Sequence, residues 1–260
     1  MKTVSTEQIN GSRGRRIGAD ETFCFACHPG VSCFTLCCRN LNLFLYPYDV
    51  LRLRRALDMD SGDFIDRHTD VVMREGNAFP DVLLRMADNE ERTCPFLTDE
   101  GCTVYQDRPE SCRSFPVENG LLFDEQGQAE PVHFFRPPDF CEGRHEPDAW
   151  TPRTWAEDQG AVHYQRMNIA WGKLKAWFTG NPWGPEGPQG RLAKMAFMAT
   201  YNPDAFRGFV LESSLGKRFD VKPATIKKIK RDDEELLLFG MDWVRLIVFG
   251  QPSKRISPRR

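Results

Sequence analysis

The chain has 260 residues, 40% of them hydrophobic and 28% charged, which excludes a disordered polymer and leaves room for one large domain or two small ones. A formal net charge of −2 offers no overall electrostatic case for nucleic acid or an anionic membrane. Nine cysteines, an odd number, exclude complete disulfide pairing within one chain.

Residues 1–20, "MKTVSTEQINGSRGRRIGAD", are polar and basic, lack an apolar signal core and read as a flexible tail. Residues 21–40 are dense in Cys, Pro and Gly and predict a loop-rich knot. In "YPYDVLRLRRAL", Val50, Leu51, Leu53 and Leu57 alternate with arginines as in a partly buried helix, with Asp49 as its N-cap. "DSGDFIDRHT" predicts a turn and a short second helix capped by Ser61. "DVLLRMAD" (81–88) has strand-like content, and "GLLFD" and "PVHFF" predict a short hairpin closed by "EQGQAEP". After Cys141 the apolar residues Trp155, Val162, Met167, Trp171, Leu174 and Phe178 recur at helical spacing, behind a cap and first turn at Thr151 and Pro152. "NPWGPEGPQG" is a breaker-rich loop. "RLAKMAFMATY", "PDAFRGFVLESS" and "DDEELLLFGMDWVRLIVFG" predict three further helices, and "SKRISPRR" a basic tail. The most apolar stretch, 236–250, is too short to span a bilayer and carries Asp242 and Arg245.

The expected fold is therefore α+β and mainly helical: a loop-rich, cysteine-ligated metal core with a short hairpin, followed by a C-terminal helical region. The expected segments are a tail at 1–20, a cysteine-cluster domain at 21–148, a helical region at 149–250 and a basic tail at 251–260. The expected compartment is the cytoplasm, where clustered cysteines serve metals or catalysis more often than disulfides.

The cysteines form two groups, Cys27, Cys33, Cys37 and Cys38, then Cys94, Cys102, Cys112 and Cys141, with Cys24 as a ninth. Thiolate is the soft ligand that suits zinc, Cu(I) and iron–sulfur clusters, and four-thiol sites are usual for zinc and cubane clusters. Eight thiols suffice for two such sites, or for one with spares. In an extended backbone neighbouring side chains point to opposite sides, so Cys37 and Cys38 would serve two separate centres or two irons of one larger cluster. This favours an iron–sulfur cluster ahead of zinc. Cys24, between Phe23 and Phe25, is expected to be a small buried hydrophobe.

The pattern resembles the YkgJ-type cysteine-cluster family, described as a zinc- or iron-chelating domain. The resemblance lies in Cys27, Cys33, the Cys37–Cys38 pair, the block "CPFLTDEGCTVYQDRPESCRSFP" from Cys94 to Pro116, and Cys141. One departure is the gap in "CFTLCC", three residues where the family has two. The resemblance implies that Cys27, Cys33, Cys37, Cys38, Cys94, Cys102, Cys112 and Cys141 bind metal. Flagellin lysine N-methylases look similar in this motif, so a metal-dependent protein-lysine methyltransferase using S-adenosylmethionine is the alternative function.

His28, His133 and His145 lie near cysteines as further candidate ligands, while His68 and His163 fall in helical patterns. Arg39, Arg108 and Arg113 sit beside cysteines, where positive charge stabilises thiolates. Tyr105, Phe115 and Phe96 are expected to pack around the site. Catalytic signatures fail. For C-x3-C-x2-C, Cys33 and Cys37 fit the first half, but the third position is Asn40. "GSRGRRIG" follows no strand, and no P-loop, G-x-S-x-G or H-E-x-x-H occurs. The expected function is metal binding, structural or redox, with an unidentified protein as partner and neither nucleic acid nor membrane.

Overall fold

Alternating burial along Val117–Phe123 and Ala129–Phe135 builds the hairpin expected from the sequence: Val117, Leu121, Val132 and Phe134 are buried while Glu118 and Glu130 face water. The computed structural model describes residues 2–4, 14–213 and 215–259. Much of the expected N-terminal tail, residue 1 and residues 5–13, lies outside the described residues. With 46% helix and 17% strand spread over small sheets, the fold is mainly helical α+β.

The chain forms two units, each assembled from two separate stretches: residues 1–44 with 84–173, and residues 45–83 with 174–260. In the first unit the hairpin is the centre of a four-stranded sheet. Lys2–Val4 pairs parallel with Gly120–Leu122, and Arg15–Ile17 antiparallel with His133–Phe135. A core of Ile17, Phe23, Phe25, Val117, Cys141 and Trp155 packs beside it.

The helical run after Thr151 divides in two. Thr151 caps Pro152–Asp158, its hydroxyl accepting from Thr154 N at 3.2 Å. The helix then stops because Gly160 adopts φ +61°, and Val162–Ala176 starts afresh. The apolar spacing runs across this break because both helices bury Trp residues, Trp155 in the first and Trp171 in the second.

The second unit holds the helices Pro47–Ala56, Ser61–His68, Arg191–Tyr201, Pro203–Glu212 and Asp233–Phe249 around buried Leu51, Phe64, Phe206, Phe239, Trp243 and Val244. It also holds strands Thr69–Val72 and Asp81–Leu84. Two caps differ from expectation. Tyr46 is the N-cap of the first helix because Pro47, with its fixed φ, takes the first helical position; Asp49 lies one turn in and accepts Tyr46 N at 2.8 Å. Asp60 is the N-cap of the second, and Ser61 is its first helical residue, its hydroxyl donating to Asp204 Oδ2 at 2.6 Å. The basic segment at the C-terminus is ordered: Ile256–Pro258 pairs antiparallel with Phe219–Val221, and Ile256 is buried. No helix among the described residues is long and apolar enough to cross a membrane.

Candidate metal centre

All nine cysteines lie in the first unit and none forms a disulfide. They occupy loops, two-residue strands and short helical turns, which are tied by backbone hydrogen bonds at three places. At the first, Phe23–Cys24 pairs with Ala149–Trp150 and Ala26 N donates to Gly143 O at 3.1 Å. A Cβ at Gly143 would stand 2.3 Å from Ala26 O, so only glycine permits this approach. Cys27 and Cys33 are thereby brought to Cys141, and Glu142 N donates to Cys33 Sγ at 3.2 Å.

At the second, a 3₁₀ turn at Leu36–Cys38, entered through Thr35 at φ 64°, presents the adjacent pair. Cys94 N donates to Cys38 O at 2.8 Å, Asn40 N to Arg92 O at 2.9 Å, and Arg39 bridges to Thr93. At the third, Leu97–Thr98 and Gly101–Cys102 form a tight hairpin that turns Cys102 back toward Cys94. Cys112 sits in the short helix Glu110–Ser114.

The thiols feel one another. Burial raises the pKa of Cys27, and Cys33, Cys141 and Cys38 add to the rise. Burial pushes Cys94 up to about 11 against a hydrogen bond from the Phe96 backbone, with Cys38 and Cys102 raising it further. Cys102 is raised by burial, opposed by the Val104 backbone N–H. Within the adjacent pair, the Cys37 thiol donates to the Cys38 sulfur. That bond drives Cys37 strongly up and, helped by Arg39, holds Cys38 down at about 7 despite its burial. Cys37 is further raised by Cys27 and Cys112. The adjacent pair is thus coupled to both groups: Cys38 to Cys27, Cys94 and Cys102, and Cys37 to Cys27 and Cys112. Even so, among the described residues no group of three or more His, Cys, Asp or Glu side chains is arranged to hold a metal ion.

The neighbours divide between those that act on the thiols and those that hold the loops. Arg39 bonds Thr35 O at 2.8 Å and Glu91 at 3.0 Å while its charge favours the Cys38 thiolate. Arg108 is set over the Tyr105 ring, bonded to Gln159 Oε1 at 2.7 Å, and faces Cys102 and Cys112. Arg113 is committed to structure: it donates to the carbonyls of Arg108, Gln159 and Gln106 and lies over Tyr164. Phe96 is buried and Phe115 joins the core, but Tyr105 is exposed, because its ring is the outer support of Arg108. Cys24 is exposed rather than buried: strand alternation sends Phe23 and Phe25 inward and the sulfur between them out.

Each histidine has another engagement. His28 Nδ1 accepts from Gly30 N, and its Nε2 lies 3.7 Å from Glu146. His133 Nδ1 meets Asn119 Oδ1 at 2.7 Å, with burial lowering its pKa. His145 Nε2 accepts from Arg144, His163 pairs with Arg166, and His68 stacks on Phe64. Gly143 and Thr35, which position the loops, carry no ligand chemistry in the sequence; only the fold reveals them.

Residues 26–142 match the family model CxxCxxCC, described as a "putative zinc- or iron-chelating domain". No curated protein and no solved structure matches the chain.

Proposed function

We propose that the protein holds iron–sulfur with ligands drawn from Cys27, Cys33, Cys37, Cys38, Cys94, Cys102, Cys112 and Cys141, in a structural or redox role, because residues 26–142 match the model of a zinc- or iron-chelating domain. The observation that carries this reading is the mutual coupling of thiols drawn from separate loops of one unit. The donor set fits: thiolates are the protein ligands of iron–sulfur clusters and of structural zinc. Bound metal would supply the cross-link that these short turns lack, and binding energy would become folding energy. Cys38, already the most acidic of the coupled thiols, is the first to offer a thiolate.

The test is anaerobic purification followed by absorption spectroscopy and elemental analysis. A brown protein absorbing at about 400 nm, with iron and sulfide in equal amounts, is the expected result. Zinc in place of iron would transfer the reading to a structural zinc protein. A folded chain free of both metals would end it.

A further inference from the structure

The second unit contains a cavity of about 710 Å³, within the range typical of small-molecule sites and outside the segment that matches the chelating domain. Its apolar walls include Trp183, Met195, Phe209, Trp243 and Ile247. Phe209 and Trp243 meet edge to face at 5.5 Å, which fixes two of those walls as a flat aromatic corner.

The charged and hydroxyl side chains on the cavity are Glu186, Arg191, Ser213 and Arg218. Arg191 and Arg218 line it, and neither guanidinium forms an ion pair among the described residues. The carboxylate beside them, Glu186, is already engaged: its Oε2 accepts Arg191 N at 2.7 Å, at the N-terminus of Arg191–Tyr201, where the helix dipole favours negative charge. Trp243 presents its ring to the cavity while its indole N–H is buried away from solvent. Apolar walls and two guanidiniums without an ion-pair partner share one complement: a hydrocarbon or aromatic body carrying a negative charge.

We propose that this cavity binds a small amphipathic carboxylate, its apolar body against Trp183, Phe209 and Trp243 and its carboxylate on Arg191 and Arg218. The inference is independent of the metal reading, since every lining residue lies in the second unit.

The test is isothermal calorimetry on the full chain with three ten-carbon probes: decanoate, decanol and decylamine. Decanoate is expected to bind at least about tenfold more tightly than decylamine, with decanol between them. Replacing both guanidiniums, Arg191→Gln with Arg218→Gln, should remove the preference for decanoate and leave decanol binding unchanged. A second variant, Met195→Trp, fills the cavity from another wall and should abolish binding of both decanoate and decanol. Equal binding of the three probes, no binding of any, or survival of the decanoate preference in either variant overturns the proposal.

Discussion

Three guanidiniums converge on the carboxylate of Asp233, those of Arg54, Arg55 and Arg207, with the Arg55–Asp233 contact at 3.0 Å. Burial by itself would raise the pKa of Asp233, but the hydrogen bond from Arg207 and the charges of Arg54 and Arg55 outweigh it and leave the carboxyl below its ordinary value. The position compounds the effect, because Asp233 opens the helix Asp233–Phe249, where negative charge meets the dipole. A depressed carboxylate pKa contributes stability that is fully present above the unfolded value of about 3.9 and is lost as pH falls through the folded one. Asp233→Asn should therefore cost about 3 kcal/mol at pH 7, because it leaves three partly buried cations facing a neutral amide. The difference from wild type should shrink as the pH falls below about 4. Urea unfolding of both proteins at pH 7 and pH 3.5 measures it, and a difference that stays constant with pH would refute the assignment.

At the scale of elements, the strand Ile256–Pro258 gives a sharp case. Its sequence, "SKRISPRR", reads as a solvated basic tail because charge dominates a short window. One apolar residue decides otherwise: Ile256 is 1% exposed, Val221 pairs with it across the ribbon, and Arg255 bonds Asp242 Oδ2 at 3.0 Å. Ile256→Ala should cost about 3 kcal/mol, read from the urea midpoint, whereas a true tail would lose nothing measurable. The long periodic helices were legible because periodicity survives in any context: 191–201, 203–212 and 233–249 stand where their apolar spacing placed them. The hairpin at 117–135 was legible for the same reason, with period two in place of 3.6. Gly160 was not, since a left-handed glycine interrupts a helix without disturbing the spacing on either side. Strand Phe219–Val221 and helix Pro223–Ile229 were also missed; their windows are too short and too basic to show a face.

At the scale of the molecule, the discontinuity of the two units had no local signal. Residues 45–83 fall inside the segment that matches the chelating domain yet belong to the unit built with residues 174–260. No composition shift marks the ends of that excursion, because the contacts that define it are made with partners far along the chain. The cysteine pattern, by contrast, was legible as a family signature, matched over residues 26–142, whereas the carbonyls and glycines that position its loops look like any loop. This division predicts how the protein responds to loss of metal. The stretches 24–40, 92–116 and 138–150 contain only two-residue strands, 3₁₀ turns and the five-residue helix Glu110–Ser114, so bound metal would be the main constraint on them. The helices 191–212 and 233–249 bury their own apolar face within the second unit and owe nothing to sulfur. Removing metal with a chelator under argon should therefore raise amide hydrogen exchange in the three cysteine loops by about tenfold or more while leaving the two helical segments within error. Hydrogen-exchange mass spectrometry before and after chelation reads both at once. Uniform loss of protection would mean that the metal holds the whole chain, and unchanged loops would mean that backbone ties such as Cys94 N to Cys38 O suffice without it.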